Sequence, residues 1–390
     1  MYWPGKTTIA GGSLKPHITI HDIAEMCHVS TATVSRALNG KPGIGTARRE
    51  QIIKRARALG YVPDATAQSM RSRRTDCVYI VMYSGPGNGE PLLQLPPHEV
   101  FESMLGVSVR THVLSVHDDL VEDLKQIEAT YAPLLFVVFG PCLTDSWKFS
   151  SLTTPLLFVL SDDAPEGRPA VVSDDFDGAL GVTESLFDAG HQRITLISDS
   201  ADGKRVNYEH RIEGFREALR RHGMRFDPSM LSTITIDFGD YLESSQEELK
   251  KALHPLLRED GLSNGYERPT AVFVLSDFLA LTLLKVVWNA GMRVPKDISL
   301  AGFGGWTMTK YAPVTLRTWT QPRADLVTVA GTAVSCLIRS KPFPKTLELP
   351  TQHPDGSYGT AIAVTPTTLM VPGFLRTGES VATIAAPPIE

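Results

Sequence analysis

From Cys77 onward the chain repeats one pattern, a short run rich in β-branched, aromatic and aliphatic residues followed by a stretch of helical period. One set of runs is Val78 to Tyr83, Thr111 to Val116, Leu134 to Phe139 and Pro155 to Leu160. A second set is Arg193 to Ser198, Thr233 to Ile236, Ala271 to Leu275 and Ile298 to Phe303. Strands that alternate with helices pair in parallel, and the crossover helices cover both faces of the sheet. Two sets therefore predict two α/β lobes with a cleft between them, and 390 residues is too long for one ordinary core.

The first part of the chain reads differently. Ile20, Ile23 and Ala24 recur at helical spacing, and Val34, Ala37 and Leu38 do so again after a break at Cys27 to Ser30. Ser30 is a good N-cap, and Thr31, Ala32 and Thr33 open the second helix with side chains small enough for close approach to a base pair. This spacing predicts a helix-turn-helix, although a plain helical hairpin fits the same pattern. Thr46 to Leu59 supplies a third helix, with Ile52, Ile53, Ala56 and Leu59 on one face and Arg48, Arg49, Lys54, Arg55 and Arg57 around the rest.

Charge separates the two parts. Met1 to Thr75 holds 12 Lys and Arg against 4 Asp and Glu, whereas the remainder holds 26 against 39. The basic end is suited to phosphate and the acidic end is not.

Three motifs in register carry a family resemblance: Thr19-Ile20-His21-Asp22-Ile23-Ala24, Val29 to Asn39, and Leu59-Gly60-Tyr61-Val62-Pro63-Asp64. They resemble the signatures of the lactose-repressor and galactose-repressor (LacI/GalR) family of bacterial transcription regulators. The likeness resumes at Asp174-Asp175, Ala189 to Ile194, Arg211 to Leu219, Ser276-Asp277 and Gly291 to Phe303, and it extends to about Val371. It implies an all-α helix-turn-helix headpiece on an α/β two-lobed, periplasmic-binding-protein-like body with parallel sheets. The implied divisions are a disordered extension over 1–16, a headpiece over 17–62, a hinge helix or linker over 63–75, and an effector-binding and dimerisation body over 76–390. The first lobe is expected to take 76–172 and 320–342, and the second 173–319 and 343–372.

The resemblance also implies roles. Thr19, Ser30, Thr31, Ala32, Thr33, Ser35, Arg36, Asn39, Tyr61, Ala67, Met70 and Arg71 are expected to contact operator DNA. Arg36 lies where a guanidinium can take guanine bidentately, and Met70 stands at the position of the apolar wedge that a hinge helix pushes into the minor groove. Asp174, Arg211 and Asp277 match residues that commonly hold a small effector, with Arg as a donor fork and Asp as an acceptor. Two departures bear on that site. Gly304 and Gly305 stand where the family commonly has two aspartates, and Ser84 to Pro97 replaces a ligand-facing loop and long helix with turns and a short helix near His98 to Val107. These shift the expected effector from a typical neutral sugar toward an anionic metabolite or sugar derivative, or toward none, with Arg211 and Asp277 free to pair in an empty cleft.

Other chemistry finds little footing. Gly85-Pro86-Gly87-Asn88-Gly89 lacks dinucleotide spacing and is followed by no Lys at P-loop distance, so a flexible turn is the expectation. Cys27, Cys77, Cys142 and Cys336 are far apart, with no Cys-x-x-Cys and no Cys/His cluster at zinc-ligand spacing, so free thiols and no metal are expected. No enzyme activity and no cofactor are expected. Met1 to Lys15 lacks the apolar core of a signal peptide, and no apolar run reaches membrane-spanning length, which predicts a cytoplasmic location. The expected protein is a DNA-binding regulator, by family likeness a repressor, acting as a homodimer on a palindromic operator. An effector-independent regulator and a two-lobed solute-binding protein are the alternatives.

Overall fold

A computed structural model describes residues 20–38, 44–58, 77–84, 97–115, 119–140, 146–160, 167–200, 206–235, 241–256 and 268–384. The expected extension over 1–16, the hinge over 63–75 and the Gly85 to Gly89 turn lie outside these residues. The chain divides into two units, Met1–Arg73 and Arg74–Glu390.

In the first unit, α1 (Ile20–Met26), α2 (Thr31–Leu38) and α3 (Thr46–Ala58) enclose one small core. Ile23, Val34 and Ile52 are fully buried there, with Ala24, Cys27, Ala37 and Ala56 around them. The turn after α1 is a Schellman closure: His28 takes a left-handed φ of 51°, its N–H reaches Glu25 O, and Val29 N–H reaches Ala24 O. Two arginines of α3 complete the turn. Arg48 Nη2 donates to Cys27 O at 3.0 Å, and Arg55 Nη1 donates to Met26 O. Cations thus meet the negative end of α1, a favourable arrangement at a helix C-terminus.

The second unit holds two sheets. The first contains β1 (Cys77–Ser84), β2 (Ser108–Ser115), β3 (Leu135–Phe139), β4 (Leu156–Val159), β5 (Ala170–Ser173), β11 (Thr346–Gln352), β12 (Tyr358–Thr365) and β13 (Thr368–Val371). Its order is β11-β12-β13-β5-β4-β3-β1-β2, parallel from β13 to β2. Alternate residues of one strand serve two cores. Val78, Ile80, Val137 and Val159 face α4 (Pro97–Leu105) and α10 (Arg323–Ile338), whereas Tyr79, Val81, Phe136 and Phe158 face α5 (Leu120–Tyr131). A strand covered on both sides must be apolar at every position, and this accounts for the unbroken burial of β3 and β4.

The second sheet contains β6 (Ile194–Ser200), β7 (Leu231–Thr235), β8 (Ala271–Val274), β9 (Ser299–Gly304), β10 (Arg317–Thr320) and β14 (Phe374–Arg376), in the order β14-β10-β9-β8-β6-β7. It is parallel apart from β14 and is covered by α6 (Asp175–Asp188), α7 (Val206–Arg221), α8 (Tyr241–Leu256) and α9 (Asp277–Asn289). The chain passes between the sheets at Ser173–Asp174, at Gln321–Pro322 and at Pro372–Gly373.

One expected division is corrected by this topology. Residues 343–372 are expected in the second lobe, yet β11, β12 and β13 all extend the first sheet, and only β14 joins the second. β5 presents an edge that β13 closes in parallel, Leu369 opposite Val171, and Leu349, Ala361, Leu369 and Val371 are thereby buried beside α10. The turn-rich stretch Gln352 to Gly359 is the bend of the β11–β12 hairpin, tied by His353 N–H to Ser357 O at 2.8 Å.

Candidate functional site

Helix α2 is the candidate DNA-reading element. Ser30 caps it, its Oγ accepting from Thr33 N–H at 3.2 Å and lying 2.9 Å from Thr33 Oγ1. Val34 and Ala37 turn into the core, leaving Arg36 exposed and Thr31 and Thr33 half-buried. Ala32 and Ser35 also lie on this helix. The cap and the core therefore orient one polar face of α2 outward, the face a major groove requires. Thr19, Asn39, Tyr61, Ala67, Met70 and Arg71 lie outside the described residues.

The effector candidates gather in the second unit where the chain crosses between its sheets. Asp174 is the N-cap of α6, its Oδ1 accepting from Asp177 N–H at 3.0 Å. Burial raises its carboxyl above the usual carboxylate range, against the opposing pull of that cap bond. Arg211 projects from α7 and is almost entirely enclosed. Its Nε and Nη2 each lie 2.8 Å from Asp175 Oδ2, its Nη1 donates to Leu275 O at 2.5 Å, and Cζ sits 4.0 Å from the centre of the Phe303 ring.

Asp277, the first residue of α9, has no exposed surface. Its Oδ1 accepts from Thr318 Oγ1 at 2.6 Å and its Oδ2 from Trp306 N–H at 2.7 Å. Burial pushes this carboxyl up, and the bonds from Thr318 and Trp306 pull the other way. Gly302 leaves room for it, because a Cβ there would lie 2.3 Å from Asp277 Oδ1. Asp277 thus ties α9 to β10 and to the turn after β9.

The expected pairing of Arg211 with Asp277 is corrected. The partner is Asp175, because both carboxylate oxygens of Asp277 are engaged by β10 and the Trp306 turn. The pull toward an anion that an open guanidinium would exert is accordingly absent. Gly304 and Gly305 also acquire a structural reason. Their φ angles are 128° and 70°, and a Cβ on Gly305 would meet Thr320 Cα at 2.6 Å, so β9 and β10 approach here at a distance that only glycine allows.

Four residues at this junction escape the sequence reading as site residues: Ser173, Asp175, Thr318 and Gln321. Asp175 Oδ1 accepts from Ser173 Oγ at 2.6 Å and from Gln321 Nε2 at 3.0 Å. The available signals are the acidic doublet Asp174-Asp175 and the position of Gln321 before Pro322, where strand pattern gives way to helix.

Elsewhere on the second unit an apolar groove of about 690 Å³ runs between α9 and the segment around Tyr311, lined by Leu281, Leu284, Lys285, Trp288, Asn289, Met308, Tyr311, Ala312 and Pro313. Tyr311 is 83% exposed and Trp288 60%. Among the described residues, no group of three or more His, Cys, Asp or Glu side chains is placed to hold a metal ion, and no helix is long and apolar enough to cross a membrane.

Comparison with known proteins follows the same division. Residues 19–64 match the family described as "Bacterial regulatory proteins, lacI family", and residues 183–354 match the "Periplasmic binding protein-like domain". Catabolite control protein A of Priestia megaterium is 26% identical over 324 residues, covering 80% of this chain and 90% of its own. The HTH-type transcriptional repressor CytR of Escherichia coli (strain K12) is 27% identical over 317 residues, covering 79% and 86%. Among solved structures, the lac repressor dimer bound to operator and the anti-inducer ONPF superposes with a TM-score of 0.69 at 19% identity, over 94% of this chain and 99% of that one. The complex of the transcriptional regulator CelR with cellobiose does so with a TM-score of 0.59 at 22% identity, over 93% and 99%.

Proposed function

The chain belongs to the lacI (LacI/GalR) family of bacterial regulatory proteins, and from that premise we infer how its parts act. It is a sequence-specific DNA-binding transcriptional regulator, with α2 reading the major groove, a second copy reading the other half of a near-palindromic operator, and a two-lobed body under small-molecule control. Repression is the sign we assign. The observation that carries the reading is the capped α2, held by the Ile23–Val34–Ile52 core with Arg36 on its open face.

Under this reading Thr31, Ala32, Thr33, Ser35 and Arg36 address base edges or the adjoining backbone. Thr19, Ser30, Asn39, Tyr61 and Arg71 hold phosphate and sugar, and Ala67 and Met70 enter the minor groove at the operator centre. The protein works by binding rather than turnover, and its place is the cytoplasm, on DNA. The second copy docks on the groove beside α9. An isologous contact needs a projection and a recess on one surface, and the exposed Tyr311 stands at the rim of an apolar recess.

The effector class we assign is neutral and hydroxyl-bearing, as with the cellobiose of the CelR complex. The support is electrostatic: the Arg211 charge is already met by Asp175, leaving the half-buried Asp174 as a carboxylate acceptor beside the crossover.

Selection of bound duplexes from a random pool tests the function, followed by titration of the winner against random DNA. Arg36→Ala is expected to cost about 1–3 kcal/mol on the selected operator and much less on random duplex. Recovery of no shared motif would remove the regulator reading, and an equal loss on both duplexes would reduce Arg36 to a phosphate contact.

A further inference from the structure

Asp175 is surrounded as a bound anion would be. Its side chain is 2% exposed, and its two oxygens receive hydrogen bonds from three different segments. Arg211 of α7 gives Nε–H to Oδ2 at 2.8 Å, and its Nη2 lies 2.8 Å from the same oxygen as an ion pair. Ser173, at the end of β5, gives its hydroxyl to Oδ1 at 2.6 Å, and Gln321, at the end of β10, gives its amide at 3.0 Å. Gln321 Nε2 also reaches Ser173 Oγ at 2.6 Å. Ser173 and Gln321 stand on two of the three crossings between the sheets, so one carboxylate joins both crossings to the second lobe.

Helix capping does not explain this arrangement, because Asp174 supplies the cap of α6. A guanidinium, a hydroxyl and a carboxamide converging on one point form a donor set suited to a small carboxylate, since charge-assisted bonds to two oxygens give both strength and direction. The chain supplies that carboxylate itself. Being tethered, it occupies the seat without the loss of translational freedom that a free ligand undergoes on binding.

We propose that Asp175 is a resident anion: it fills a carboxylate seat at the lobe junction, shuts acidic ligands out of Arg211, and holds the crossings together with no small anion present. The proposal rests on reading the body as the ligand-responsive half of a regulator and adds to it the residue that sets ligand charge. Its corollary is that loss of the Asp175 carboxylate opens a site for a free one.

The experiment uses the full chain and the variants Asp175→Ala and Asp175→Asn, with sodium formate as the probe and sodium chloride at equal ionic strength as the reference. Formate is expected to leave the wild-type Tm where chloride leaves it. Asp175→Ala is expected to melt lower and to recover most of the loss with saturable formate, whereas Asp175→Asn, whose amide still fills the seat, recovers little. If Asp175→Ala does not fold, refolding yield is read with and without formate, and a yield raised above that in chloride supports the seat. Formate that acts no better than chloride on Asp175→Ala, in Tm or in yield, overturns the proposal, as does an equal effect on all three proteins. Because the readout involves no DNA, a wild-type protein that ignores every duplex would defeat the regulator reading while leaving the formate result to stand or fall by itself.

Discussion

Gly305→Ala tests the steric origin of the Gly304–Gly305 turn, and Gly223→Ala is its control. Both Gly305 and Gly223 have a φ of 70°, so both substitutions put an L residue into the left-handed region at a cost of roughly 1–2 kcal/mol. They differ in what surrounds the new methyl group. At Gly223, just after α7, none of the described residues lies within 4 Å of it, whereas at Gly305 the methyl would meet Thr320 Cα and Cγ2 at 2.6 Å and Cβ at 2.7 Å. Relieving that overlap means moving β10 away from β9, and overpacking of this kind costs typically 1–3 kcal/mol. The expected totals are about 2–5 kcal/mol for Gly305→Ala and about 1–2 kcal/mol for Gly223→Ala. At the roughly 2–4 °C per kcal/mol of larger domains, the two melting temperatures should differ by about 2–12 °C. Circular dichroism melts of the three proteins, with denaturant unfolding as a check, measure it. Equal losses in the two variants would show that the approach of Thr320 is not what demands glycine, and steric exclusion would no longer account for glycine where the family has aspartates.

Two further outcomes follow from the same geometry. Tyr311→Asp should weaken self-association by about 2 kcal/mol or more, the scale of a buried aromatic anchor, and sedimentation should then find monomers where the wild type is dimeric; a persistent dimer would move the interface away from the α9 groove. Burial raises the folded-state carboxyl of Asp325, so the folded chain holds that proton to higher pH than the unfolded chain, whose Asp titrates near about 3.9. The stability contribution is therefore fully present below that value and is lost as pH rises through the raised folded-state value. Asp325→Asn keeps an acceptor for Thr351, which donates to Oδ1 at 2.7 Å, while Asp325 Oδ2 accepts nothing from the described residues; the variant should flatten the fall in stability above about pH 4, and an unchanged slope would reject the assignment.

The helix-turn-helix is legible because its determinants are local. Period, cap and turn lie between Ile20 and Leu38, and the choice between a reading unit and a plain hairpin comes from motifs on either side. What the sequence does not disclose in the headpiece is the second use of its basic helix. Arg48 and Arg55 close the carbonyl end of α1, although as sequence they read only as surface charge.

In the body the alternation of strands and helices determined two parallel sheets, since an apolar run bounded by helices leaves few other ways to satisfy the backbone. Membership of a late strand in one sheet or the other was a different matter. Leu347 and Thr367 to Val371 carry the pattern of a strand but nothing that names a neighbour, and the open edge of β5 decided it. The same holds for the junction. In the sequence Arg211 has Asp277 as its expected partner and Asp175 reads only as part of an acidic doublet, and neither separation means anything until the chain is folded. Packing gave Asp277 to Thr318 and Trp306 and left Asp175 to the guanidinium. Residue types and local period thus determined which elements form, and the family motifs implied that the chain reads DNA, whereas strand partners and charge partners were decided by tertiary structure, because each depends on which groups remain unpaired once every other element is in place.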